Sequence, residues 1–146
     1  MIKRRSDRSA KVLLVDDEPD ALEDLRMTLD LEDIDAVGVT SIEEAYALLM
    51  TDPQISVVVT DVQLVETCGA VTDGLDFAML AGRRFRDRAL SFIVLSNNPD
   101  AETAPSDCGS VDLLTKPLVI DTLISAIHAA MGTEHRRTDA VYALPR

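Results

Sequence analysis

The sequence has few cysteines and no surplus of positive charge, and each shortage argues against a class of protein. Cys68 and Cys108 could form at most one disulfide, and neither has the spacing of a metal site. We therefore expect reduced thiols in a cytoplasmic protein. The formal net charge is −12, from 14 Lys and Arg against 26 Asp and Glu. An acidic chain disfavours nucleic-acid binding, because a phosphate backbone is bound through Lys and Arg.

Long apolar runs are also absent. No segment approaches the ~18 apolar residues of a membrane span, and the basic residues 1–5 lead into polar residues rather than a signal-peptide core. At 146 residues we expect one domain without a membrane segment. Its expected parts are a disordered N-terminal end at 1–10, a folded domain at 11–132 and a polar, basic tail at 133–146.

What the sequence does contain is an alternation of short β-branched runs with stretches of helical apolar spacing. The runs predict strands at residues 11–15, 34–39, 55–61, 91–95 and 111–114. Strands that alternate with helices five times predict βαβ units. The expected fold is α/β, with a parallel sheet that has helices on both faces.

Local signals set the helix ends. Pro19 suits a first helical position, and Ser41 with Glu44 three residues later forms a capping-box pattern. A third helix is predicted from about 74 to 86, after a long loop at 62–73. The last begins at Ile120 and is closed by Gly132. Residues 97–109 contain two prolines and a glycine, so any helix there is short.

Polar side chains stand where the predicted strands end. In an open α/β sheet, ligands gather at the carboxyl ends of the strands, so we expect these side chains to meet at one edge. Asp61 ends a short apolar run of β-formers, so we expect it to be the residue that faces chemistry. The complete set is Asp16, Asp17, Asp61, Ser96 and Lys116.

This set of side chains suits phosphoryl transfer onto an aspartate. Three carboxylates at one edge would raise one another's pKa, and a hard cation such as Mg²⁺ would relieve the repulsion. Lys116 adds a point charge for a phosphate, and Ser96 adds a hydroxyl. Asp61 would then be the nucleophile.

Each residue alone also has a purely structural interpretation. Asp16 or Asp17 could cap the helix at Pro19, Ser96 could be a strand-end or N-cap residue, and Lys116 could be solvated before a turn. Asp61 is harder to explain this way, because ionised acids are rarely buried without partners. Their joint position at strand ends favours the functional interpretation.

Four stretches, at residues 12–19, 59–61, 94–96 and 115–118, resemble the signatures of the response regulator receiver domain of two-component signalling. The resemblance covers about residues 10–132. It implies a flavodoxin-like (βα)₅ fold, with a doubly wound five-stranded parallel sheet. It also implies that the chain takes a phosphoryl group from a phosphohistidine of a sensor histidine kinase or a histidine phosphotransfer protein.

The resemblance also implies a role for each site residue. Asp61 would be the phosphoacceptor, Asp17 would bind Mg²⁺ directly and Asp16 would assist through water. The backbone carbonyl of Gln63 would complete the protein ligands of the metal. By the same resemblance Lys116 would pair with the phosphate, Ser96 would supply the switch hydroxyl, and the Lys116–Pro117 peptide bond would be cis.

The chain departs from the family pattern around the acceptor. Val65 stands where a proline is usual, Gly74 comes late, and residues 66–72 look like an insertion beside the site. Leu113 replaces the usual aromatic switch residue. We therefore expect phosphorylation to act on residues 66–72 more than on the surface around Leu113.

The leading interpretation is a stand-alone receiver that relays its signal through phosphorylation-dependent binding of an unknown downstream protein. It would catalyse only its own phosphotransfer and dephosphorylation. The last helix and fifth strand offer a possible homodimer face.

One alternative is a phosphatase of the haloacid dehalogenase type. That family has its nucleophile on the first strand, with a second Asp two residues later. Here the acid pair follows the first strand instead, and Gln63 stands two residues after Asp61. The other alternative is a receiver-like scaffold that is never phosphorylated.

Overall fold

The computed structural model describes residues 10–65, 71–96 and 110–143. Within them the strands are β1 (Lys11–Val15), β2 (Ala36–Val39), β3 (Ile55–Asp61), β4 (Gln63–Val65), β5 (Val71–Asp73), β6 (Ser91–Ser96) and β7 (Ser110–Thr115). The helices are α1 (Pro19–Leu31), α2 (Ile42–Thr51), α3 (Gly74–Arg84) and α4 (Ile120–Ala143), with a 3₁₀ turn at Arg86–Arg88.

Five of the strands form one sheet in the order β2-β1-β3-β6-β7. Every neighbouring pair in this sheet is parallel. This confirms the predicted α/β class and its flavodoxin-like, five-stranded parallel sheet. Since β3 lies in the middle of the order, the residue that ends it comes out at the centre of the sheet edge.

Two apolar layers cover the sheet, one on each face. Alternate residues of β1 show the division, because Leu13 and Val15 pack with α2 and α3 whereas Val12 and Leu14 pack with α1 and α4. The four side chains are at most 2% exposed. Burial on both faces explains why the strands are continuous apolar runs rather than alternating ones.

The predicted helix starts are confirmed. Pro19 is the first residue of α1, and Ser41 is the N-cap of α2. The Ser41 hydroxyl accepts a hydrogen bond from the Glu44 amide at 3.1 Å. The Glu44 carboxylate accepts one from the amide of Thr40, also at 3.1 Å, so the reciprocal bond of the capping box reaches one residue further back.

The predicted loop at 62–73 was wrong. Gln63–Val65 and Val71–Asp73 pair as an antiparallel hairpin, with Gln63 opposite Asp73 and Val65 opposite Val71. Each strand has only three residues, which is too short for alternation to be distinguished from loop sequence. The supposed insertion at 66–72 is thus partly a strand, and residues 66–70 lie outside the described part.

Other predicted boundaries also moved. The second strand begins at Ala36 rather than at residue 34, and α3 ends at Arg84. The predicted end of the last helix at Gly132 was wrong, because α4 runs on to Ala143. A single glycine costs a helix only about 1 kcal/mol relative to alanine, and the residues after it include good helix formers.

Several predictions fall outside the described residues: the disordered end before residue 10, both cysteines, and the short segment with two prolines at 97–109. No helix in the described part of the chain is long and apolar enough to cross a membrane.

Candidate functional site

The predicted edge brings strand ends together as expected. Asp61 is the last residue of β3 and lies opposite Leu95 of β6, one residue before Ser96. Ser96 in turn lies opposite Thr115, the last residue of β7, and its carbonyl accepts the amide of Lys116 at 2.8 Å. The backbone therefore places the acid, the hydroxyl and the lysine at neighbouring positions on this edge.

The side chains of Lys116 and Asp61 form an ion pair in the site. The Lys116 Nζ lies 2.9 Å from Oδ1 and 3.0 Å from Oδ2 of Asp61, so one ammonium bridges both carboxylate oxygens. The side chains are 32% and 16% exposed, which leaves the pair reachable from solvent yet largely enclosed. The Lys116–Pro117 peptide bond is cis, as predicted.

Asp16, which follows β1, has a carboxyl group whose pKa is raised by its surroundings. Burial raises the pKa of the Asp16 carboxyl, and the nearby charges of Asp61 and Asp17 raise it further. The amide of Glu18 donates to Asp16 Oδ1 at 3.0 Å and acts in the opposite direction, lowering the pKa. The net direction is upward, so this acid is held near other negative charges without enough compensation.

Carboxylate oxygens are the type of ligand that a hard cation binds, but the described side chains do not form a complete metal site. Among the residues that the structure describes, no three acidic, His or Cys side chains are grouped closely enough to hold a metal ion. Mg²⁺ commonly takes one or two carboxylates and keeps several waters. The charges of Asp61 and Asp17 add to burial in raising the Asp16 pKa, and a hard cation would relieve the part that comes from those charges.

A glycine allows the first turn of α3 to approach the backbone of Asp61 closely. A Cβ atom on Gly74 would lie 2.0 Å from the carbonyl oxygen of Asp61 and 2.9 Å from its carbonyl carbon. The Gly74 amide also donates to the carbonyl of Val62. The hairpin formed by β4 and β5 thus leaves the sheet after Asp61 and returns to contact the same peptide unit.

Comparison with known proteins identifies the family. The sequence pattern of the response regulator receiver domain matches residues 12–128, most of the chain. The chain belongs to the response regulator receiver domain family.

Two curated relatives of this receiver are similar along most of its length. It is 31% identical over 137 residues to the hydrogenase transcriptional regulatory protein HoxA of Cupriavidus necator, covering 92% of this chain. It is 29% identical over 121 residues to the response regulator protein PilR of Pseudomonas aeruginosa, covering 83%. The match covers 27% and 26% of those proteins, so the receiver spans about a quarter of their length.

Solved receivers share its fold. A response regulator receiver protein from Pseudomonas putida is 32% identical, with a TM-score of 0.67 over 88% of this chain and 98% of that one. The receiver domain of the Francisella response regulator 1452 is 25% identical, with a TM-score of 0.70 over 86% and 98% of the two chains. Together with the family match, these likenesses make the chain a receiver of two-component signalling.

The strand ends of this receiver lie where the sequence predicts them, whereas one contact that supports them is not predicted. Asp16, Asp61, Ser96 and Lys116 lie at the strand ends that the alternation predicts, and Ser96 is only 3% exposed. The contact of Gly74 with Asp61 was missed. The signal that could have revealed it is Asp73 directly before Gly74, since the Asp73 carboxylate caps α3 by accepting the amide of Leu75 at 2.8 Å.

Proposed function

We propose that this receiver accepts a phosphoryl group on Asp61 from a phosphohistidine of a sensor histidine kinase or a histidine phosphotransfer protein. The observation that supports it is the Lys116 ammonium within 3.0 Å of both carboxylate oxygens of Asp61 at the centre of the sheet edge. The Asp61 carboxylate is partly exposed and lies beside a cation that suits phosphate oxygens.

The transfer needs little covalent machinery from the chain. An oxygen of the Asp61 carboxylate attacks phosphorus, the P–N bond to the donor imidazole breaks, and the imidazole leaves with its electron pair and takes up a proton. Because one Asp61 oxygen becomes the bridging oxygen, Lys116 must release it and move to a phosphoryl oxygen. The short contacts of its Nζ to both oxygens leave such a move within reach of one side chain.

Mg²⁺, when bound, neutralises charge on the phosphoryl oxygens. We propose that Asp17 holds it directly, that Asp16 does so mainly through water, and that Asp61 and the carbonyl of Gln63 complete the protein ligands. Gln63 begins β4 two residues after Asp61, at the same edge. Burial raises the Asp16 pKa first, and the charges of Asp61 and Asp17 raise it further; a bound cation would relieve that repulsion.

Phosphorylation of this receiver would change its binding to another protein. Ser96 would donate its hydroxyl to a phosphoryl oxygen, because β6 brings it next to the position of Asp61. We propose an unknown downstream protein as the reader, a cytoplasmic setting and no direct nucleic-acid contact by this acidic segment. We also propose homodimerisation through α4 and β7. We propose no enzymatic turnover beyond phosphotransfer and loss of the phosphoryl group.

Incubation with acetyl phosphate and Mg²⁺, followed by intact-mass measurement, tests this function. Wild type should gain one phosphoryl group that hydroxylamine removes, as expected for an acyl phosphate. Asp61→Asn should gain none while its circular dichroism spectrum is unchanged, and Asp24→Asn, on the exposed side of α1, should behave as wild type. Labelling of Asp61→Asn at the wild-type rate would overturn the assignment. Turnover of phosphoesters by wild type would favour the phosphatase instead, and no labelling at all would favour the scaffold.

A further inference from the structure

An apolar groove runs between α2 and α3 on one face of the sheet, away from the Asp61–Lys116 pair. It has a volume of about 430 Å³ and is lined by Tyr46, Met50, Leu80 and Arg84. Met50 and Leu80 are 56% and 57% exposed, which is high for large apolar side chains. Each helix contributes two lining residues one turn apart, so the groove presents a stripe parallel to the helices.

Arg84 lines the groove, and two further exposed arginines lie near it in sequence, at the C-terminal end of α3. Arg83, Arg84 and Arg86 are all exposed, and none of them takes part in an ion pair found among the described residues. Arg84 donates to Met50 Sδ at 3.5 Å and lies over the Phe85 ring. Among the other cations with described side chains, Lys11, Arg26 and Lys116 form ion pairs and Arg88 donates to backbone carbonyls. Residues 83–88 hold four arginines and one acid, Asp87, so this segment is basic within a chain of net charge −12.

The opposite end of the groove is acidic. Glu43 lies in the first turn of α2 and Asp76 in the first turn of α3, whereas Arg83 and Arg84 lie in the last turn of α3. The two helices cover the same face of a parallel sheet, so their first turns lie toward the same edge. A ligand along the groove therefore meets negative charge at one end and positive charge at the other.

We propose that this groove is a docking site for an acidic amphipathic helix of a partner protein. The helix would place two apolar side chains, one turn apart, over Met50 and Leu80, and its carboxylates would lie against Arg83, Arg84 and Arg86. An amphipathic helix in an apolar groove is a recurrent mode of peptide recognition. The arginines set the direction of the helix, because its acids must lie at the end away from Glu43 and Asp76.

Charge favours a short peptide over a larger polyanion. A nucleic acid or an anionic membrane would extend beyond the arginines and meet the acidic remainder of the chain, which repels it. A helix confined to the groove can keep its acids at the basic end and away from Glu43 and Asp76. A second copy of the receiver is the other candidate, because its own α1 is acidic and exposes Met27 and Leu31 at 52% and 85%.

Peptide display on the unphosphorylated full chain tests the proposal. A randomised library of helical peptides is selected on wild type, and the selected sequences are measured as labelled peptides by fluorescence anisotropy. We expect enrichment of peptides with a pair of apolar residues one turn apart followed by acidic residues. Met50→Ser and Leu80→Ser should each weaken binding about tenfold, as truncation of a central apolar contact commonly does.

Two variants provide the matched controls. Met27→Ser removes an equally exposed methionine on the other face of the sheet and should leave binding unchanged. Arg83→Glu combined with Arg84→Glu should reject the selected peptides and, in a repeat selection, prefer basic ones. Because no phosphodonor is present, failure here is separate from failure of phosphorylation at Asp61.

Three results would overturn the proposal. One is selection that yields no binder, or binders indifferent to the Met50, Leu80 and arginine changes. Another is sedimentation showing that wild type self-associates through the groove and that Met27→Ser abolishes this. The third is tighter binding to phosphatidylserine vesicles or to an oligonucleotide than to any selected peptide.

Discussion

Arg88 is expected to be the surface residue whose replacement costs this receiver the most stability. Its guanidinium donates to the carbonyls of Leu49, Asp52 and Ile55, the last two at 2.9 and 2.8 Å. These carbonyls belong to the last turn of α2, to its C-cap and to the first residue of β3. The carbonyls at the end of a helix have no partner within it, so one arginine satisfies groups that would otherwise rely on water.

The magnitude follows from these bonds. Hydrogen bonds to a charged group contribute about 1.5–3 kcal/mol each, but water can replace part of the loss at this half-buried position. We therefore expect Arg88→Met, which keeps the apolar stem, to lower the free energy of unfolding by about 3 kcal/mol. For a domain of this size that corresponds to a fall in Tm of about 9 °C.

Urea denaturation followed by circular dichroism measures the change. Arg86→Met, an exposed arginine two residues away, is the matched control and should stay within about 0.5 kcal/mol of wild type. Arg88→Lys should recover only part of the loss, because one ammonium cannot reproduce the planar fork of a guanidinium. Equal midpoints for Arg88→Met and Arg86→Met would refute the reasoning.

Three further predictions concern the site and the pH dependence of stability. Asp16→Asn should raise the Tm without metal at neutral pH, because the folded pKa of Asp16 is raised and wild type loses stability as pH rises through that pKa. The gain in Tm should vanish below about pH 3.9, where the carboxyl is protonated in the folded and unfolded states. A gain that persists below this pH would contradict the prediction. Gly74→Ala should slow phosphorylation and destabilise the fold by roughly 2 kcal/mol or more, because its Cβ would lie 2.0 Å from the carbonyl oxygen of Asp61; Gly38→Ala, whose Cβ meets only a side chain at 3.2 Å, should cost less. Asp52→Asn should lower the Tm at neutral pH by the equivalent of up to about 1 kcal/mol, because a lysine hydrogen bond lowers the Asp52 pKa and its stabilisation is lost as pH falls through that lowered value; an equal deficit well below pH 3 would argue against the ion pair.

The order of elements and the main site positions could be predicted from the sequence because they depend on local signals. Apolar runs buried on both faces marked β1, β3 and β6, and the parallel arrangement then fixed which ends share an edge. Ser41 and Pro19 marked helix starts through the unpaired amides that every helix start presents. No long-range information was needed for either.

The remaining features depend on contacts between segments distant in sequence. The hairpin of β4 and β5 has three residues in each strand, so pairing rather than propensity defines it. The Arg88 contacts join residues 33 to 39 positions apart, and no local pattern indicates them. The length of α4 beyond Gly132 was missed because one glycine was weighted as a stop signal.

The central position of β3 has a consequence for how this receiver fluctuates. Strands flanked on both sides exchange their amide hydrogens only in large opening events, whereas edge strands such as β2 and β7 and a two-stranded hairpin open more readily. The peptide units before Asp61 should therefore be among the slowest to exchange. The chemistry proposed for the Asp61 carboxylate would then take place on the most rigid part of the backbone. Any structural response to it should appear first in the hairpin that begins two residues later, which opens more readily.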